Sequence, residues 1–539
     1  MADKMLKNLP MPLMDGRHKP HVLWMKIIVG IGVLLRLKHY FEFRSLWLDE
    51  AWLSLMISGQ PWKEILLFRP FSVDLPVPPA GFLIAQKSLV YLIGNSPETL
   101  RILPLLSSIG ALLLFRSLVQ RMNLGLMALF PIAVMAWAEP FVYYAAEVKQ
   151  YSSDLFIALC CAWILDDYLR HRTSHSLVSL GFAGVFVIYF SHTAIFLLCS
   201  MAFVMVCDCF LQKNYVQLLR LSLPFLFWFC VFMVLFLFSL QPQSDNPRLV
   251  HGAQLASYYP SSKFFSYEGM RWTYQAVMKI FSFPIPFFSR EAGGVLFLIG
   301  AWMMLKKNIR FAVFFLLPPV ICLCLAWARK YPFGDRFILF AAPGMLIVIA
   351  TGLQWITQRI LANNRILSYC LVILCLASSA VQASTYVLQS RQREDMGRVM
   401  KYFGKHYLPG DSLFINNEAQ YAFSYYAGIY DLPKVGLIGM IVDDTRPKKV
   451  ERLEIRYRHA LHHGAFWIGY YRGKEVNAWI RENRAAFKTN SRVWFILAHY
   501  SAKQRAWLEQ YLDKKGKRIL FEESNGAVAY LYDLSGQGL

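Results

Sequence analysis

Apolar runs of membrane-spanning length, bounded by lysine or arginine, recur from Val22 to Ala383 and decide what this chain can fold into. In hydrocarbon every backbone N–H and C=O has to be satisfied within the protein, so runs of about 17–25 apolar residues become helices. They fall near Val22–Tyr40, Leu100–Val119, Leu124–Ala138, Tyr151–Leu165, Leu177–Phe190, Thr193–Phe210, Leu221–Leu240, Gly294–Leu305, Phe311–Ala328, Phe337–Ile356 and Ile366–Ala383. The pattern predicts an α-helical polytopic membrane protein of about eleven transmembrane helices. Composition agrees: 56% of the 539 residues are hydrophobic and only 17% are charged, too few charges for a soluble enzyme of this length. Met1 to Pro20 is basic and polar, and the run after it lacks a small-residue cleavage site, so the first span is expected to remain as an anchor. All ten cysteines lie in apolar segments without CxxC spacing, which excludes a disulfide framework and a zinc motif.

A formal net charge of +22 raises the question of nucleic acid. The basic residues stand at the ends of apolar runs rather than on one polar face, so they read as topology signals and as contacts for anionic lipid or phosphate. With the N-terminus in the cytoplasm, Lys4, Lys7, Arg17, Lys19, Arg116, Arg121, Arg170, Arg172, Lys213, Arg220, Lys306, Lys307, Arg310, Arg359 and Arg365 collect on the cytoplasmic side. Four stretches then face outward: the loop holding Asp49 and Glu50, Pro140–Gln150, Gln241–Ala292, and Tyr331–Arg336. Pro79–Gly94 is apolar but short, begins with prolines and carries Lys87, so a helix at the outer surface is expected there.

Composition shifts at Ser390, which divides the chain into a membrane domain, 1–389, and a soluble α/β domain, 390–539, expected on the same outer side. In the second, helices are expected at Met396–His406, Ala419–Tyr426, Glu475–Phe487 and Ala502–Lys514. Strands are expected at Asp411–Asn416, Phe466–Tyr471, Arg492–His499, Arg518–Glu522 and Val528–Asp533. No glycine-rich nucleotide loop occurs in it.

Leu46-Trp47-Leu48-Asp49-Glu50-Ala51-Trp52 follows the first span. Paired acids between tryptophans at a membrane surface are costly and point to function, with Asp49 the leading candidate for a base. The plainer reading makes Asp49 the cap of a helix from Glu50 to Ser58. The other outward stretches bring Asp74, Arg101, Glu147, Lys149, Arg271, Arg329, Lys330, Asp335 and Arg336 to the same side. Acids mixed with bases suit a reaction that deprotonates one group and stabilises an anionic leaving group. Against this, Arg101 reads equally as a snorkelling anchor, Glu147 and Lys149 as exposed loop charges, and Gly334-Asp335-Arg336 as an ordinary turn. His192 reads as a polar plug, and His462-His463 as surface.

Trp47-Leu48-Asp49-Glu50, Asp74 with Pro78-Pro79, Ser96-Pro97-Glu98-Thr99-Leu100-Arg101-Ile102-Leu103-Pro104 and Tyr144-Ala145-Ala146-Glu147-Val148-Lys149-Gln150-Tyr151 occur in this order over residues 20 to 170. In them the sequence resembles the GT-C superfamily of polyprenyl-phosphate-sugar-dependent glycosyltransferases, in particular the branch with protein O-mannosyltransferases and lipid A aminoarabinose transferases. The resemblance implies the GT-C fold and a catalytic acid in the first outer loop, Asp49, with Glu50 secondary. It also implies a site formed with Arg101 and the Tyr144–Tyr151 element. Candidates for the phosphate are Arg101, Lys149, Arg271 and Arg336, Tyr144 is a further substrate-binding candidate, and Glu147 is the candidate partner of a divalent metal cation, which family members often use. Lys149 stands where the family commonly has Arg, and Val77 where it has His.

The expected function is transfer of a sugar from a polyprenyl-phosphate donor to a lipid, glycan or protein acceptor at the outer face of a bacterial-type inner membrane, with membrane lipids as the other partners and no nucleic acid. A polyprenyl chain suits that place because each buried CH₂ contributes about 0.8 kcal/mol of anchoring. A transporter or flippase of a lipid-linked sugar is the alternative, but the sequence shows neither an inverted repeat nor mid-membrane ionisable residues. A C-terminal binding module on a membrane anchor ranks last, since so many spans exceed what anchoring needs.

Overall fold

A computed structural model describes residues 20–66, 76–171, 175–244, 256–362, 364–389, 391–416, 418–432, 466–469 and 492–534. Asp74, His462-His463 and the helix expected at Glu475–Phe487 lie outside the described residues. The chain forms two compact units: Met1–Glu42, Pro61–Gln86 and Arg101–Ser390 make up the first, and Phe43–Gln60, Lys87–Leu100 and Arg391–Leu539 the second. Beside the division expected near residue 390, two short N-terminal segments therefore belong with the C-terminal residues.

The first unit is a helical membrane body. Among the described residues six helices are long and apolar enough to cross a membrane: Pro97–Arg121, Ala194–Leu211, Tyr215–Gln243, Ile309–Trp327, Asp335–Arg359 and Arg365–Leu388. A seventh is reached if the bent pair Gly125–Trp137 and Glu139–Ala146 is one span. Helices also occupy the other expected spans, at Pro20–Tyr40, Tyr151–His171, His175–Phe190 and Arg290–Lys307. The Tyr215–Gln243 span widens into π-helix at Phe236–Leu240, and the Asp335–Arg359 span opens with a 3₁₀ stretch, Asp335–Ala341. Between Pro79 and Gly94 the helix is Ala80–Ile93, about 21 Å long at 1.5 Å per residue and too short for the ~30 Å hydrocarbon layer.

Small residues bring these helices together, as packing in lipid requires. A Cβ at Gly300 would lie 1.9 Å from the Val348 carbonyl oxygen, and one at Gly352 would lie 2.4 Å from that of Leu296, so Arg290–Lys307 and Ala342–Arg359 touch backbone to backbone. Acids near the ends of spans are paired: Arg310 Nε donates to Asp208 at 2.7 Å, and Arg170 Nε to Asp166 at 2.9 Å, with Arg121 on the same carboxylate. All ten cysteines are free.

The first span carries a buried cation, Arg36. Arg36 is fully buried, its Nε donating to Ser108 Oγ at 2.8 Å, Nη1 to the carbonyls of Gly32 and Ala136 at 2.9 Å, and Nη2 to that of Met135 at 2.8 Å. These carbonyls need it. The helix Leu129–Trp137 stops before Pro140, which has no N–H for Ala136, while the Glu139 N–H that Met135 would use donates to Gln382. The chain bends by 49° at this break before entering the Tyr144 element.

The second unit carries a five-stranded mixed sheet. Strands β1 (Ser412–Asn416), β2 (Phe466–Gly469) and β3 (Arg492–Ala498) are parallel, and the hairpin β4 (Lys517–Ser524) and β5 (Ala527–Asp533) joins antiparallel, in the order β2-β1-β3-β5-β4. β1 and β5 are buried along nearly their whole length, the pattern of inner strands. Helices Met396–His406, Gln420–Ile429 and Ala502–Asp513 accompany the sheet; Asp395 and Ser501 cap two of them, Ser501 with Gln504 in a reciprocal capping box.

Candidate active site

In the second unit the Leu48–Gly59 helix carries both acids in its first turn. Asp49 is its second residue and half-exposed, while Glu50 is buried. The cap expected of Asp49 is supplied from elsewhere. Trp47 precedes the helix and makes no side-chain cap, and the first helical N–H, of Leu48, donates to Glu394 Oε2 at 3.0 Å. Asp49 therefore occupies the acid-favouring end of the helix dipole without being the cap.

In the first unit the bend after Ala138 turns the chain into Glu139–Tyr143 and the 3₁₀ turn Tyr144–Ala146, and the Lys149 N–H folds back on the Glu147 carbonyl at 2.7 Å. Glu147 and Lys149 are 1% and 6% exposed, which removes their reading as loop surface charges. The ring of Tyr144 stands edge-on to those of Tyr143 and Tyr151, and its hydroxyl has Glu147, Tyr151 and Arg336 as electrostatic neighbours. The Arg336 guanidinium carbon lies 5.7 Å from the Tyr151 ring centre and 5.3 Å from that of Phe337. Thus Tyr144, Glu147, Tyr151 and Arg336, more than 180 residues apart at the extremes, form one aromatic and charged group.

The turn before Arg336 is ordered. Gly334 has φ 127°, open to glycine and strained for other residues, and Asp335 accepts from Tyr258 Oη at 2.8 Å and Lys279 Nζ at 2.9 Å. Arg101 lies one turn into Pro97–Arg121 and is 2% exposed, a burial that a snorkelling anchor would not show. Arg271 is exposed on the amphipathic helix Tyr267–Lys279.

Sequence reasoning missed Asp154, which is buried in the first turn of Tyr151–His171 with Oδ1 lacking a hydrogen-bond partner, and which neighbours Tyr331 electrostatically. An acid beside an apolar run was the available signal. It also missed Glu394, Glu418 and His499, whose sequence surroundings are ordinary for a soluble domain.

A resident divalent cation requires several convergent donors. Among the described residues no group of three or more His, Cys, Asp or Glu is placed to hold one, and Glu147 is grouped with tyrosines and an arginine. Among the described residues the donor set does not fit a metal held by protein ligands alone.

No family model and no curated protein matches this sequence. Solved structures do. ArnT from Cupriavidus metallidurans in the apo state aligns with TM-score 0.52 at 11% identity over 95% of this chain and 98% of that one. The same protein bound to undecaprenyl phosphate aligns with TM-score 0.53 at 10% identity over 94% and 98%. Archaeal oligosaccharyltransferase AglB from Archaeoglobus fulgidus, in complex with an inhibitory peptide and a dolichol-phosphate, aligns with TM-score 0.50 at 11% identity over 94% of this chain and 74% of that one. The chain has the GT-C fold that these membrane glycosyltransferases share.

Proposed function

We propose that this chain is a glycosyltransferase of a bacterial-type inner membrane that moves a sugar from a polyprenyl-phosphate donor to an envelope acceptor on the outer face, where the C-terminal domain also lies. The observation that carries the reading is Asp49: a partly buried carboxylate in the first turn of its helix, where Glu394 rather than Asp49 accepts the leading N–H. The fold supports the donor class, since one structure sharing it binds undecaprenyl phosphate and another dolichol-phosphate.

In the proposed reaction the Asp49 carboxylate takes the proton of the acceptor hydroxyl or amine as that group attacks the anomeric carbon. The bond from that carbon to the phosphate oxygen breaks, the configuration inverts, and the polyprenyl phosphate leaves with the electron pair. Arg101, Lys149 and Arg336 are assigned to the phosphate, where cations stabilise charge that grows toward the transition state. Tyr144 and Glu147 hold Arg336 and the Tyr151 ring in place, Arg271 meets lipid headgroups or donor at the surface, and the buried Glu50 is secondary to Asp49.

Asp49→Asn keeps shape and volume and removes the base. In cells expressing equal amounts of folded protein, mass spectrometry of envelope glycolipids and glycoproteins should show a product mass present with the wild type and reduced about 10²–10⁴-fold in the variant. The missing mass identifies sugar and acceptor. Wild-type product formation by Asp49→Asn would refute the assignment of the base.

A further inference from the structure

The four residues that lead into Asp49 are each gripped by the C-terminal part of the same unit. Ser45 Oγ bonds Asp395 and accepts from Gly397 N–H at 3.1 Å; the Leu46 N–H donates to Tyr426 Oη at 2.8 Å; Arg393 lies over the Trp47 ring at 4.0 Å; and the Leu48 N–H donates to Glu394. The β4–β5 turn closes on this grip, because a Cβ at Gly526 would lie 2.6 Å from the Arg393 carbonyl oxygen, and Ser524 Oγ donates to Asp395 at 2.9 Å.

Glu394 has a second bond. Its Oε1 meets His499 Nδ1 at 2.7 Å, just past the carboxyl end of β3. There the chain's order reverses, β2 lying on one side of β1 and β3 on the other, and the crevice beyond such a switch point is where open α/β sheets place functional groups. Asn416 at the end of β1 ties the edge shut by bonding both the N–H and the carbonyl of Ala498, and its amide also donates to Glu418 at 3.2 Å. Three carboxylates face His499: Glu394 from the segment before Met396–His406, Glu418 from the loop after β1, and Asp49 from its helix. We propose that Glu394 is a positioning residue for Asp49: its carboxylate, held by His499 at the edge of the sheet, fixes the start of the Leu48–Gly59 helix and hence where the base is presented.

The pair is sensitive to proton concentration. The hydrogen bond to Glu394 raises the pKa of His499 above its ordinary value of 6.5, burial opposes this, and Glu394, Glu418 and Asp49 add to the rise. Because the folded value is the higher one, the charge-assisted grip is fully present below about 6.5 and is lost as pH climbs through the folded value.

The proposal rests on the reading of Asp49 as the base, so its test has two arms. In the first, hydrogen–deuterium exchange of the full chain in detergent follows the amides of residues 45–52, corrected for intrinsic rates. Glu394→Ala should exchange faster there, and Glu394→Gln, which can still accept from Leu48, should be closer to wild type. Protection in the wild type should fall at alkaline pH, and His499→Gln should remove that dependence. In the second arm, right-side-out membrane vesicles use their own lipid-linked sugars as donors while product is quantified. Glu394→Ala should lower kcat about tenfold at unchanged donor KM, and Glu394→Gln should move the alkaline limb of the rate profile to lower pH. Unchanged amide protection in Glu394→Ala, or an unchanged rate with an unchanged pH profile in both Glu394 variants, overturns the positioning role. Full activity of Asp49→Asn overturns the base instead, and leaves the exchange arm to decide whether Glu394 orders the helix.

Discussion

Replacing Arg36 by methionine tests how the membrane unit holds its bend. The substitution keeps most of the volume and removes all four hydrogen bonds. Gly32 is inside a helix and keeps its backbone partner, and Ser108 Oγ keeps its contact with the Phe141 carbonyl at 3.3 Å. The Met135 and Ala136 carbonyls lose their donors, since the residues that would serve them in a continuous helix are Glu139, engaged with Gln382, and Pro140. Each buried acceptor left unsatisfied costs about 1–3 kcal/mol, so the pair costs about 2–6 kcal/mol. Relief from burying a guanidinium without a counter-ion offsets part of this, which leaves a net loss of about 3 kcal/mol. Arg36→Lys retains a charge and three donors without the planar fork, and should lose about 1–2 kcal/mol. Equilibrium unfolding of the full chain in mixed micelles with increasing SDS measures both. Because Phe141, Tyr143 and Tyr144 follow the bend, Arg36→Met should also lower product formation. A methionine variant as stable as wild type would refute the account of the two carbonyls.

Two further substitutions bear on packing and on the soluble unit. Gly300→Ala should destabilise the membrane unit by about 2 kcal/mol or more, because its Cβ would strike the Val348 carbonyl, whereas Gly30→Ala meets nothing within 4 Å and should be neutral or stabilising by up to about 1 kcal/mol; thermal unfolding of the two in parallel checks the contrast. Asp411→Ala strips a carboxylate that accepts from Arg492 Nε at 2.6 Å, Trp494 Nε1 at 2.9 Å and the Leu408 N–H at 3.1 Å, and should cost the soluble unit about 2–3 kcal/mol after allowance for the partly exposed arginine, read as faster proteolysis of residues 391–534 in the full chain.

What could be read from the sequence was whatever is encoded locally. The Met396–His406 helix has the expected ends because its cap and its apolar face lie within eleven residues, and β1, β3 and the β4–β5 hairpin follow from short apolar and alternating runs. The spans were legible for the same reason, although the described helices that meet the length and apolarity of a span number six or seven, because several expected spans are interrupted, shorter or carry more charge. The break at Ala138 could be suspected from Pro140, but not the guanidinium that completes it, since Arg36 and Ala136 are 100 positions apart. The Tyr144–Tyr151 element was found by its residue types, and its closeness to Arg336 came only with the fold. The plainer reading of Asp49 as the cap of a helix from Glu50 does not hold, because the helix starts at Leu48 and the acceptor for its first N–H is Glu394, a residue no local window contains.

That last separation has a consequence for biosynthesis. A ribosome adding ~5–20 residues per second needs on the order of 20–70 s to reach Glu394 after Leu48 has been made. Throughout that interval the nascent loop holding Asp49 exists without its clamp, and a half-finished polypeptide already threaded into the bilayer cannot yet aim its carboxylate. Ordering of the start of the Leu48–Gly59 helix is thereby postponed until the chain has been made as far as Glu394.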